Sequence, residues 1–236
     1  MSAIHPYAAT ADDYPVPETT PARESIESAI LAYMRDTGKP AAAASVTEIC
    51  RRAFVARSTF YANYRNVDEA LETIENRLVR DILDRSASMV DLKAGPESAV
   101  VSCANVFALI REREPVFRTL LLDVPDPRFV DKWKKAISHH FWRRLFAPAN
   151  DEAGAVGISR DADADTDVGQ IGDSGDARFA RRRRGPATLN RALMLEMIAS
   201  AVVAAFTFWL AHPDQVEPAE IDGLVARLIV DIDDIW

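Results

Sequence analysis

Between Ile49 and Leu71 the chain reads ICRRAFVARSTFYANYRNVDEAL, and its centre, Arg57 to Tyr61, sets hydrogen-bond donors beside aromatic rings. Such side chains suit the edges of base pairs. Arginine can grip guanine O6 and N7, asparagine can pair with adenine, and alanine or tyrosine can meet a thymine methyl. Helical spacing sorts them: Phe60 and Tyr64 are four apart and share a face with Ala56, whereas Arg57 and Tyr61 fall on another. Phe60 and the Tyr64 ring are expected to pack inward. Arg57, Ser58, Tyr61, Ala62 and Asn63 are expected to point outward as base readers. Thr59 and Arg65 suit phosphates, as does Thr47, which lies near a helix start where free N–H groups add an anion site. An ordinary solvated helix surface uses the same residue types, so spacing alone leaves both readings open.

Positioning these side chains takes two short helices. Ser45 opens Ser-Val-Thr-Glu, a capping box in which the Ser45 hydroxyl and the Glu48 carboxylate satisfy free backbone N–H groups. The helix it starts should end near Ala53, and a second should run from about Ala56 to Tyr64 after a turn at Phe54 and Val55, which matches a helix-turn-helix. Ahead of them, Ile26, Ile30, Leu31 and Met34 predict a helix stopped by Gly38 and Pro40. Behind them, Asn66 is placed to cap a longer helix with Ala70, Leu71, Ile74, Leu78, Ile82 and Leu83 on one face. More helices are expected at about 97–113, 115–122, 127–146, 187–211 and 218–236, and no period-two strand competes. Residues 1–21, rich in proline and acids, read as a disordered N-terminal arm. Residues 148–186, where acids cluster ahead of Arg181 to Arg184, read as a disordered loop.

A net charge of −8 over 236 residues argues against coating nucleic acid through bulk charge. Its distribution differs: from Ala22 to Asn66 seven basic residues face four acidic ones. Cys50 and Cys103 fall on different apolar faces and are expected in the core, with no disulfide or metal framework between them. The adjacent His139 and His140 point about 100° apart on a helix, so no metal site is expected. No GxSxG elbow, phosphate loop or HisGluxxHis appears, which predicts neither catalysis nor a cofactor. No basic start precedes an apolar run, so the expected compartment is the cytoplasm.

Residues 45–71 resemble the DNA-binding signature of the TetR family of bacterial transcriptional regulators. Ile49, Ala53, Val55, Thr59, Phe60, Tyr61, Tyr64, Glu69 and Leu71 stand where that pattern wants them. Three positions depart from it: Phe54 replaces the turn glycine, Asn63 a frequent histidine, and Val67 a lysine that touches phosphate. The resemblance implies an all-α, TetR-like fold, with a three-helix helix-turn-helix DNA-binding domain at 22–66 and a helical effector-binding and dimerisation domain at 67–236. It also implies double-stranded DNA with an inverted-repeat operator as partner, a homodimer formed through the last two helices, and a small-molecule effector that releases a repressor. The run 197–211 is apolar nearly all round and must be buried by something. A membrane span needs about 20 apolar residues, and Glu196 shortens this run, so no membrane partner is expected. Ala201, Ala204, Ala205, Phe208, Leu224 and Leu228 are instead expected in a four-helix dimer interface. Phe107, Phe117, Trp133, His140 and Phe141 either line an effector cavity or pack as solid core. The alternative function is a protein-interaction or corepressor-type module whose DNA binding is weakened by Phe54 and Val67.

Overall fold

The computed structural model describes residues 11–87, 96–146, 186–217, 219–221 and 223–225, and among them there is no strand. Helix α1 (Pro21–Thr37) begins on Thr20, whose hydroxyl accepts from the Arg23 N–H, with Pro21 in the first turn where its missing N–H costs nothing. It stops at Gly38, which takes φ 64° and donates its N–H to the Met34 carbonyl, the left-handed stop its sequence predicts. Ile26, Ile30 and Met34 are fully buried along its inner face.

Helix α2 (Val46–Ala53) and helix α3 (Arg57–Asn63) form the expected helix-turn-helix. Only half of the capping box forms. The Ser45 hydroxyl accepts from the Glu48 N–H at 3.1 Å, but the Glu48 carboxylate turns outward to Arg51 and Arg52, because two guanidinium groups attract it more strongly than one backbone donor. Asn66 caps helix α4 (Val67–Ala87) by accepting from the Glu69 N–H at 2.8 Å.

Beyond α4 come helix α5 (Pro96–Glu112), the short helix α6 (Glu114–Arg118), helix α7 (Pro127–Phe146) and helix α8 (Pro186–Ala211), followed by helical residues at 219–221 and 223–225. The end of the segment expected at 115–122 widens into one π-helical turn, Thr119–Asp123. There the buried Thr119 hydroxyl donates to the Pro115 carbonyl. Arg118 donates to the Leu210 carbonyl at 2.8 Å and so caps the far end of α8. Leu195, Ile198, Val202, Phe206 and Trp209 of α8 are buried, with Phe107 of α5 and Trp133 of α7 against them. The apolar stretch Ala192–Ala211 is long enough by composition to cross a membrane despite Glu196, so length does not decide its environment. Its inner face packs against α5 and α7.

Residues 12–17 depart from the arm expected over 1–21. Tyr14 is buried, and its hydroxyl donates to the Lys132 carbonyl of α7, while Asn76 of α4 donates its amide to the Pro15 carbonyl. One aromatic ring and two hydrogen bonds offset the ordering entropy of a short segment that its prolines have already stiffened. The loop at 148–186 lies outside the described residues, apart from Pro186 at the start of α8.

Candidate nucleic-acid interface

Helix α3 is anchored from beneath. Phe60 is fully buried and the Tyr64 ring nearly so, as their four-residue spacing predicts. The Tyr64 hydroxyl donates to the buried carboxylate of Glu27 on α1 at 2.6 Å, and Arg77 of α4 donates to that carboxylate through both terminal nitrogens. Arg23 lies 5.0 Å over the Tyr64 ring. Burial first, then the hydrogen bond to Glu27, pushes the Tyr64 hydroxyl well above its ordinary value, so it remains a donor. One carboxylate thus ties α1 and α4 to the base of α3.

The opposite face is open. Thr47, Arg57, Ser58, Tyr61 and Ala62 are all exposed, Tyr61 at 59%, and the Tyr61 ring stands edge-on against Phe60 with centroids 5.6 Å apart. Arg57 of α3 donates to the Thr47 hydroxyl of α2. Arg65 is exposed just past α3, where its N–H donates to Glu69. Asn63 and Thr59 sit differently from their neighbours. Both are half-buried, and the Asn63 amide donates to the Thr59 carbonyl at 2.8 Å. Asn63 also lines a cavity of about 460 Å³ with Pro15, Tyr64, Thr73 and Asn76, so its side chain faces the joint with α4 as much as the open face.

The turn before α3 carries an aromatic in an unusual conformation. Phe54 has φ 55°, the left-handed region, and is 96% exposed. On α2, Arg51 first and Arg52 second hold the Glu48 carboxyl at about 2, well below its ordinary range. Arg52 also reaches Asp36 at 2.6 Å and lies over Tyr33.

Helix α4 meets α7 through a polar seam. Lys132 donates to Glu75 and to Asn76, each at 2.8 Å, and Arg128 reaches Asp68 at 2.8 Å and Asp126 at 3.5 Å. Glu75 is fully buried, and burial raises its carboxyl despite the Lys132 partner. Its second oxygen accepts no hydrogen bond, with Arg128 at 3.6 Å.

Of the aromatic side chains expected either around an effector or in a solid core, those described lie against one another. Phe117, Phe129 and Trp133 lie 5.9 Å apart centroid to centroid, Trp133 meets Phe206 at 5.7 Å, and Phe107 meets Phe206 at 4.6 Å. Phe107, Phe117 and Trp133 are packed core because large flat rings interlock in edge and tilted pairs. The side chains of His140, Phe141 and Cys103 lie outside the described residues, and Cys50 is a buried free thiol. A groove of about 530 Å³ opens elsewhere, between the π-helical turn, α7 and α8, lined by Leu121, Val130, Lys134, Ala204, Phe208 and His212. Ala201, Ala204, Phe208 and Leu224 are exposed, as are Leu193 and Met197, whereas Ala205 is half-buried against the chain's own core and Leu228 lies outside the described residues.

No family model matches this chain, and no curated protein matches it in sequence. Solved structures do match in shape. A fatty acid degradation regulator, FadR from Bacillus halodurans, aligns over 91% of this chain and 97% of its own at 13% identity, with a TM-score of 0.56. The transcriptional regulator FadR from Bacillus subtilis, in complex with stearoyl-CoA, aligns over 88% and 97% at 11% identity with a TM-score of 0.52. A dihydroxyacetone kinase operon activator, DhaS, aligns over 91% and 97% at 13% identity with a TM-score of 0.50. The fold is that of these helical regulators. At such identities the likeness extends to architecture and leaves the chemistry to this chain's own residues.

Proposed function

We propose that the chain is a cytoplasmic, homodimeric transcriptional regulator of the TetR kind that reads double-stranded DNA with α3. The observation that carries this reading is the exposed Thr47, Arg57, Ser58, Tyr61 and Ala62 face on a helix whose other face is locked by Phe60 and Tyr64. A rigid helix with short polar and cationic side chains on its free face suits a major groove. Asn63 contributes less, because its amide is held on Thr59.

The dimer face is the outer stripe of α8. Leu193, Met197, Ala201, Ala204 and Phe208 recur every three or four residues, the spacing of a helix–helix seam, and Leu224 continues it from the next helix. A small effector bound among the helices that follow α4 acts through α4, which carries Arg77 toward Glu27 of α1 and Glu75 toward α7. The simplest sign is repression relieved by the effector, which must bind the DNA-free arrangement more tightly. Selecting sites from a random duplex pool tests the reading: an approximate inverted repeat is expected, and an unselected pool would sink it.

A further inference from the structure

Of the six arginines between residues 22 and 66, four meet a carboxylate or an aromatic ring. Arg51 and Arg52 face Glu48, Arg65 faces Glu69, and Arg23 lies over Tyr64. Arg57 is set against an uncharged hydroxyl, that of Thr47, and among the described residues no carboxylate comes within ion-pairing distance of it. Its charge therefore remains available to an outside acceptor.

We infer that Thr47 is the positioning residue that sets the Arg57 guanidinium for guanine, an inference that rests on the DNA-reading function proposed above. Arg57 is the first residue of α3, and among the described residues the Thr47 hydroxyl is the acceptor its guanidinium meets. A free arginine side chain carries roughly 2 kcal/mol of rotamer entropy. Thr47 is carried on α2 by a short side chain, so the helix itself sets where its hydroxyl lies. One terminal nitrogen of Arg57 donates to that oxygen. That nitrogen keeps a second hydrogen, which with the N–H of a neighbouring guanidinium nitrogen leaves one parallel pair of donors for guanine O6 and N7. The hydroxyl is also not exhausted. It accepts from Arg57 with one lone pair and keeps its own proton to donate to a phosphate oxygen. A single side chain thereby couples the register of α2 on the phosphate backbone to the aim of the base reader on α3.

The test uses the full chain and its Thr47→Ser, Thr47→Val and Arg57→Ala variants. Each selects sites from a random duplex pool, and affinity for the best wild-type site is then measured with every base at every position over a range of salt. Valine keeps the branched shape at an exposed position, so folding is not at issue, and far-ultraviolet circular dichroism checks it. Thr47→Ser should keep the guanine preference within about twofold, whereas Thr47→Val should lower it roughly tenfold at one position of each half-site. Arg57→Ala should abolish that same preference, and adding Thr47→Val to it should change base preference no further. If Thr47→Val lowers affinity evenly over all sequences and only flattens the salt dependence, Thr47 is a phosphate contact alone and the inference is overturned. A wild-type chain that selects no motif overturns the DNA-reading function, and the inference falls with it.

Discussion

Phe54 holds a conformation that costs an L-residue about 1–2 kcal/mol, and at 96% exposure its ring gains no packing in return. Glycine removes most of that strain and gives back some of it as chain entropy. Phe54→Gly should therefore stabilise the protein by about 0.5–1 kcal/mol, whereas Phe54→Ala, still bearing a Cβ, should change little; thermal unfolding of the pair checks both. Along α3 the adjacent residues Phe60 and Tyr61 should separate folding from recognition. Phe60→Ala leaves a cavity and should cost roughly 3–5 kcal/mol of stability. Tyr61→Ala should leave unfolding unchanged and weaken binding to a selected site by about 1–3 kcal/mol. A destabilised Tyr61→Ala protein would show that the ring supports Phe60 rather than DNA. This inside-outside division is legible in the sequence because apolar periodicity reports a helix face directly. The burial of Glu27 and Glu75 is not, since a carboxylate reads as solvent-facing until its cation is known, and those cations lie 50 and 57 residues away.

At the scale of elements, α1, α3 and α4 meet at Glu27. Glu27→Ala would leave Arg77 mostly buried without its partner and free the Tyr64 hydroxyl. The loss should be about 2–3 kcal/mol, below the range for a fully buried pair because a fifth of Arg77 stays in water. Denaturant unfolding with an unchanged midpoint would show that Glu27 anchors nothing. The N-terminal segment is testable through pH. Burial, with Asp13 adding, raises the Tyr14 hydroxyl from 10.0 to about 12. A raised acid contributes its full stability below its unfolded value and loses it as pH climbs toward the folded one. Wild type should thus lose stability relative to Tyr14→Phe between about pH 10 and pH 12, and the difference should be constant below that. Parallel profiles through this window would place Tyr14 in water. The segment is hard to read from sequence because four prolines and three acids in residues 1–21 have the composition of a free arm, and its single buried ring makes no periodic pattern. The choice between cavity and core for the aromatic residues is equally illegible, since both require rings at helical spacing and only their mutual geometry differs.

For the whole molecule, the exposed stripe on α8 means that quaternary state and DNA affinity should change together. Ala204→Arg adds a charge where the chain itself has room but a second α8 does not, so the monomer should fold and the dimer should dissociate. Sedimentation should show the shift, and affinity for an inverted repeat should fall because each reader loses its tethered partner's effective concentration. A dimer that survives this change would place the interface elsewhere. Tyr14 docks far along the chain from its own position. Its carbonyl partner on Lys132 is 118 residues away in sequence. The Tyr14 segment precedes both α4 and α7 in the chain, so it has no surface to bind until those helices have assembled. Such a contact belongs late in folding, after the transition state, where a loss is felt as faster unfolding rather than slower refolding. In stopped-flow kinetics Tyr14→Ala should steepen the rate of escape from the native state and leave the refolding limb where it is, which makes the segment a clasp on lifetime rather than a guide to the fold.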